Sequence, residues 1–178
     1  MTTLQILLMA CIYLVFLGVL IYFTRATARR VIGALAGGAG AGFVGLGMIA
    51  LSESQGWWQV PSGSVPYFRL QLFLAFAVSM APFYLITWRV ARRFGWSGLA
   101  VVLGVVTVIG PPRDYLVAAT FPEWMTFAPG FTPVLANAAT YFGMMAIGHA
   151  VMQLVAGPSA NDTFARPLRH AAIEKEQL

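Results

Sequence analysis

Charge is the scarcest property of this sequence. Asp, Glu, Lys and Arg make up 10% of its 178 residues, 59% are hydrophobic, and the mean hydropathy is +0.76. A water-soluble domain of this length needs far more polar surface, so that class is excluded. The single cysteine, Cys11, rules out an intrachain disulfide and any multi-thiolate metal site. Only two histidines occur, His149 and His170. A zinc site takes three or four ligands, no acidic residue lies at matching depth beside His149, and no metal is expected. The predicted spans also lack paired acids, and no nucleophile and base constellation is present. The positive charges that precede a cleavable signal are missing too, since the arginines nearest the first apolar run follow it, and the run is expected to stay as a helix.

What is present is a series of apolar runs, at residues 4–23, 31–51, 67–88, 96–110 and 132–155. A helix crossing the hydrocarbon layer takes about 20 residues, so the fourth run is short, at about 22 Å by helical rise. Basic residues fall in three groups of three after the first, third and fifth runs: Arg25, Arg29, Arg30; Arg89, Arg92, Arg93; and Arg166, Arg169, Lys175. Arg69 and Arg113 fall on the opposite side. Loops held in the cytoplasm retain Arg and Lys, so the pattern predicts an all-α, polytopic bundle of about five transmembrane helices with the amino terminus outside. Residues 1–156 form the membrane domain and 157–178 a polar cytoplasmic tail. The net charge of +5 belongs to these span-flanking arginines, which hold topology and meet anionic head groups, and no nucleic-acid partner is expected.

The second run, "VIGALAGGAGAGFVGLGMIA", places small residues at helical intervals, with Gly33 near Gly37 and Gly38 near Gly42. Small side chains let backbones approach closely in lipid, which predicts a central helix. A phosphate-binding loop is excluded because neither the lysine nor the strand-turn context follows. The arginine-bearing turns "TRATARRVIGALA" and "TWRVARRFGWSGLA" resemble each other, and a duplication would relate spans one and two to three and four.

Polar groups inside spans are functional candidates by default. The fifth run holds most of them, with Asn137, Thr140, Tyr141, Met144 and Gly148 on one helical face, and His149 with Gln153 on another. Before it lies "GPPRDYLVAATFPEWM" at residues 110–125. Pro111 and Pro112 are expected to end or bend the fourth helix. The rest forms an extra interfacial or re-entrant segment between spans four and five, with a helix starting at Tyr115 and capped by Asp114. Arg113 is expected to pair with Glu123 or Glu53. The outer loop before the third run carries Glu53, Trp57, Trp58 and Arg69 and has the same aromatic character, so the two loops are expected to meet over one end of the bundle.

Three classes of function fit. The first is a non-catalytic membrane component that binds a partner protein, lipid or pigment. The second is an enzyme acting on a lipid or isoprenoid at the outer interface, with Glu123 or Asp114 as acid or base and Arg113 or Arg69 gripping the head group. The third is a small transporter or channel formed by oligomerisation. Candidate ligand or partner residues are Arg113, Asp114, Glu123, Trp124, Glu53, Arg69, Asn137, Tyr141 and His149. The sequence names no cofactor; its partners are the lipid bilayer and a protein or a second copy of the chain.

Overall fold

The structure is a computed structural model, and it describes residues 3–61 and 67–158. Four helices dominate: α1 (Thr3–Thr24), α2 (Ala28–Ser54), α3 (Phe68–Thr120) and α4 (Thr132–Ala156), each long and apolar enough to cross a membrane. Two short strands, β1 (Trp58–Gln59) and β2 (Thr126–Phe127), complete the described chain. The polar tail, with Arg166, Arg169, His170 and Lys175, lies outside the described residues apart from its first two positions.

Helix α3 is broken at Gly95, whose φ of 65° and ψ of −151° are not helical. L side chains rarely adopt that conformation, so glycine is what permits the break. The contacts of α3 with α4 show what the break does. In the limb before it, Tyr84 donates to the Met144 carbonyl at 2.7 Å, and the Trp88 indole reaches the Gly157 carbonyl at 3.5 Å. In the limb after it, Gly110 lies against the Tyr141 ring, and Asp114 bonds Asn137 at 3.2 Å. Rising residue numbers thus lead toward the end of α4 in the first limb and back toward its start in the second, which is a helical hairpin.

The second limb corrects the expected break at the prolines. Pro111 and Pro112 sit inside the helix, which continues to Thr120. Proline φ is already helical, so the loss is confined to two backbone donors and to the carbonyls of Thr107 and Val108 that they would have bonded. No separate helix begins at Tyr115, and Asp114 caps nothing. The limb spans residues 96–120, about 37 Å at 1.5 Å per residue, and the connection to α4 is only 121–131.

The glycine stripe of α2 packs on both sides. A Cβ on Gly33 would stand 2.8 Å from that of Ala156, and one on Gly37 would stand 2.5 Å from the Gly148 carbonyl, so this edge is seated on α4. On the other edge Gly38 lies directly against the Ala77 carbonyl and Gly42 against the Phe73 ring, both in the first limb of α3. Contact this close is the source of helix association in lipid, and it makes α2 central. Around it the core is built from Ala34, Ala41, Met80, Ala81, Tyr84, Leu85, Met144, Met145 and Met152. Helix α1 is peripheral; Leu17 is buried, and most of its other large side chains are exposed.

At one end the arginines tie helices together. Arg29 donates to the Val155 carbonyl at 3.1 Å and Arg89 to the Thr24 carbonyl at 3.3 Å, each capping a helix C-terminus where cations are favoured. Arg30 and Arg92 lie over the Trp88 ring, 4.3 and 5.5 Å from its centre. The first two basic groups therefore share one end. The two turns are not equivalent, however: the first breaks the helix before Arg29 and Arg30, with Arg25 at positive φ, and the second breaks it after Arg92 and Arg93, at Gly95. The local resemblance does not carry over to the backbone.

Candidate functional site

The end of the bundle away from the arginine cluster is organised by Asp114, which is buried and placed by the second limb of α3 over the first turns of α4. Its Oδ1 accepts from Arg113 Nε at 3.0 Å and Nη2 at 2.7 Å. Its Oδ2 accepts from Tyr141 OH at 2.8 Å and Asn137 Nδ2 at 3.2 Å. Arg113 Nη2 also donates to the Tyr141 hydroxyl, and the guanidinium lies 5.4 Å from that ring's centre. This corrects the expected pairing. The partner of Arg113 is its sequence neighbour, because the i,i+1 pair straddles the same edge of the helix and two α4 side chains close round the carboxylate. Glu53 pairs instead with Arg69 at 2.6 Å. Glu123 is exposed and has no partner among the described residues.

Asn137 and Tyr141, read from the sequence as one face of the last helix, are thus brought together with Arg113 and Asp114. They form the polar end of a cavity of about 370 Å³. The remaining lining is apolar and comes from every helix: Met9, Ala10 and Tyr13 of α1, Gly45 and Ile49 of α2, Phe76, Met80 and Phe83 of the first limb, Val117 of the second, and Met144 of α4. Besides the Tyr13 hydroxyl, two aliphatic hydroxyls line it, but Ser79 is bonded to the Phe76 carbonyl and Thr140 to the Ala136 carbonyl. The middle of the cavity is therefore apolar in effect.

The loops before α3 and before α4 close the cavity. Strands β1 and β2 pair antiparallel, Trp58 opposite Phe127 and Gln59 opposite Thr126, and Ala128 N donates to the Trp57 carbonyl at 2.8 Å. Trp58 is buried, its ring 5.8 Å from that of Phe127, and Phe127 stacks in turn on Tyr115 at 4.2 Å. Trp124 stacks on Phe121 at 4.6 Å and lines the cavity, where its buried indole N–H meets no acceptor among the described residues. The predicted meeting of the loops is thus seen, as a short sheet over the polar end. A more open depression of about 640 Å³ lies beside Glu53, Gln59 and Arg69.

His149 stands apart from this site. It is 3% exposed, with Nδ1 2.9 Å from Thr87 Oγ1 and Nε2 2.6 Å from Gln153 Nε2. Thr87 Oγ1 is in turn 3.1 Å from the Tyr84 carbonyl, to which it donates. These roles assign the proton to Nδ1, since Thr87 has spent its own hydrogen on the carbonyl and the Gln153 amide can donate to Nε2. The arrangement ties α4 to the first limb of α3. Sequence reading missed Tyr84 and Thr87, although the spacing of Met80, Tyr84, Thr87 and Trp88 marks one helical face. It also missed Tyr13 on the first helix, whose remaining residues offer no pattern that singles it out.

Among the described residues no group of His, Cys, Asp or Glu could hold a metal ion. Compared with models of protein families, with curated proteins and with solved structures, the chain matches none. Function is therefore argued from the site alone.

Proposed function

We propose that the protein is a non-catalytic membrane component that spans the bilayer five times, amino end outside, and holds a small amphipathic molecule, a lipid or a pigment, in the cavity beneath its paired outer loops. The observation that supports this is the cavity itself: every helix contributes a wall, the sheet covers one end, and the charged groups, Arg113 and Asp114, occur only at that end. Sites for small molecules run from roughly 300 to 1,000 Å³ and are mostly apolar with a few convergent polar groups. Five crossings follow from counting the two limbs of α3 separately, and the clustered arginines at the opposite end favour the cytoplasmic side for it.

The same geometry weighs against acid-base chemistry. All four hydrogen bonds that the Asp114 oxygens readily accept are supplied by Arg113, Tyr141 and Asn137, so the carboxylate serves as a structural acceptor and has no lone pair to offer a substrate proton. Glu123, the other proposed acid or base, does not line the cavity.

The test is purification of the full chain in a mild detergent, followed by absorbance and mass spectrometry of what is extracted from it. Wild type is expected to carry about one small molecule per chain. Val117→Trp and Ala75→Phe, which fill the cavity from opposite walls, are expected to lose it while keeping a cooperative thermal transition. A ligand retained by both well-folded variants would place it elsewhere and end this reading.

A further inference from the structure

The cavity's polar end holds one buried donor without an acceptor among the described residues, the Trp124 indole N–H, beside the Arg113 guanidinium. Arg113 uses Nε and Nη2 on Asp114 and Tyr141, and Nη1 takes no part in those bonds. Trp124 contributes an indole N–H that has no acceptor among the described residues, and both side chains line the cavity. The Tyr141 hydroxyl and the Asn137 amide are committed to Asp114. Arg113 is half exposed, so the cost of a buried donor left unpaired, about 1–3 kcal/mol, falls on the Trp124 indole, and a bound molecule gains most by presenting an acceptor to it.

The acceptor's charge is decided by Asp114. Arg113 is already neutralised at 2.7 Å, so a carboxylate or phosphate would bring a second negative charge to a cation that has been matched, in surroundings drier than bulk water. A neutral carbonyl meets the Trp124 donor without that penalty. Size and lining decide the rest. About 370 Å³ is near the lower limit of small-molecule sites and suits one tail rather than the pair of a diacyl lipid. Below the polar end the hydroxyls of Ser79 and Thr140 are turned back on their own helices, leaving Met80, Phe83 and Met144 to contact a hydrocarbon chain.

Access is available from the side. Met9 of α1 lines the cavity and is also 37% exposed, while Leu7, Leu8 and Ile12 on the same half of the helix are more exposed still. Met9 is thus the α1 side chain that lies both on the cavity wall and on the face of the helix turned away from the bundle.

Building on the ligand-binding reading above, we infer that the cavity receives a single-tailed lipid with a neutral carbonyl head, a quinone or a monoacyl ester, taken from the membrane past α1, with the carbonyl oxygen at Trp124 Nε1.

The experiment uses the full chain in phosphatidylcholine nanodiscs. Decylbenzoquinone binding is read by quenching of tryptophan fluorescence, with monoolein, oleate and decylbenzene as competitors. Decylbenzoquinone and monoolein should exclude one another, and oleate should compete about tenfold more weakly. Trp124→Phe keeps the stacked ring and removes the donor. It should weaken both carbonyl probes about tenfold, as loss of one good hydrogen bond does, with Trp58 still reporting. Competition by decylbenzene and the thermal midpoint should not change. Oleate binding as tightly as monoolein, or carbonyl probes indifferent to Trp124→Phe, would overturn the carbonyl assignment and leave the cavity reading standing. Quenching that persists unchanged in Val117→Trp, or is absent in wild type, would remove the cavity reading and this inference together.

Discussion

Four hydrogen bonds converge on the Asp114 carboxylate from three side chains, one of them on its own helix and two on α4. Removing that acceptor strands Arg113, Tyr141 and Asn137 together, whereas removing a group that touches nothing strands no one. Asp114→Ala is therefore expected to cost about 2–4 kcal/mol, within the range for buried polar partners and ion pairs that lose one member, read as a lowered midpoint in detergent unfolding. Glu123→Gln, at an exposed position without a partner, should stay within about 0.5 kcal/mol of wild type. If the two variants were equally stable, the carboxylate would not be the organiser described. Thr87 is a second such acceptor, its hydroxyl standing between the Tyr84 carbonyl and His149. Thr87→Val keeps the shape and leaves the imidazole without its acceptor, for an expected loss of about 1–3 kcal/mol, and hydrogen exchange along α4 should rise with it.

At the scale of elements, the strongest local requirements are glycine positions with different physical origins. Gly38 is required by distance, because its backbone meets the Ala77 carbonyl and no side chain fits between. Gly38→Leu should force α2 from the first limb of α3 and lower stability by about 3 kcal/mol or more. Val19→Leu, on the exposed side of α1, should leave the midpoint unmoved. Gly95 is required by its backbone angles and has open space around its Cα. Gly95→Ala should therefore cost only the conformational strain, about 1–3 kcal/mol, and a midpoint unchanged by this substitution would mean that the break has other support. The prolines at 111 and 112 show the opposite case, a residue type that disfavours helix interiors yet stands in one, in a stretch that α4 holds through Tyr141 at Gly110 and through Asn137 and Tyr141 at Asp114.

For the whole molecule the decisive property is which end faces which side. The arginine cluster around Trp88 and the sheet over the cavity lie at opposite ends of the bundle, and the five-span reading makes the first cytoplasmic. After Cys11→Ala removes the native thiol, single cysteines at Thr27, Ser97 and Gln55 test it with a membrane-impermeant maleimide on intact cells. Gln55→Cys is expected to react from outside, and Thr27→Cys and Ser97→Cys only after permeabilisation. Ser97 is the informative position, since it lies just past the break in α3. Labelling it from outside would mean that α3 crosses once, and the five-span reading would fall.

Several of these properties were legible without coordinates, and the reason is common to them. Membrane residence, the turns marked by arginine, the small-residue edges of α2 and the polar face of α4 depend on composition and on helical period alone, and both are properties of a local stretch of chain. What depends on which helix docks beside which was not legible. Arg113 and Asp114 are adjacent in every conformation, but only the docking of α4 supplies Tyr141 and Asn137, and without them the pairing with Glu123 or Glu53 looked equally good. The continuation of the helix through Pro111 and Pro112 likewise rests on neighbours that offset two lost backbone bonds. The cavity is the extreme case, since its walls come from positions as distant as Met9 and Met144 and no local pattern marks them. Short-range energetics made the helices and their membrane setting a matter of sequence, while the site is a sum of long-range contacts that only the tertiary structure brings within hydrogen-bonding and van der Waals reach.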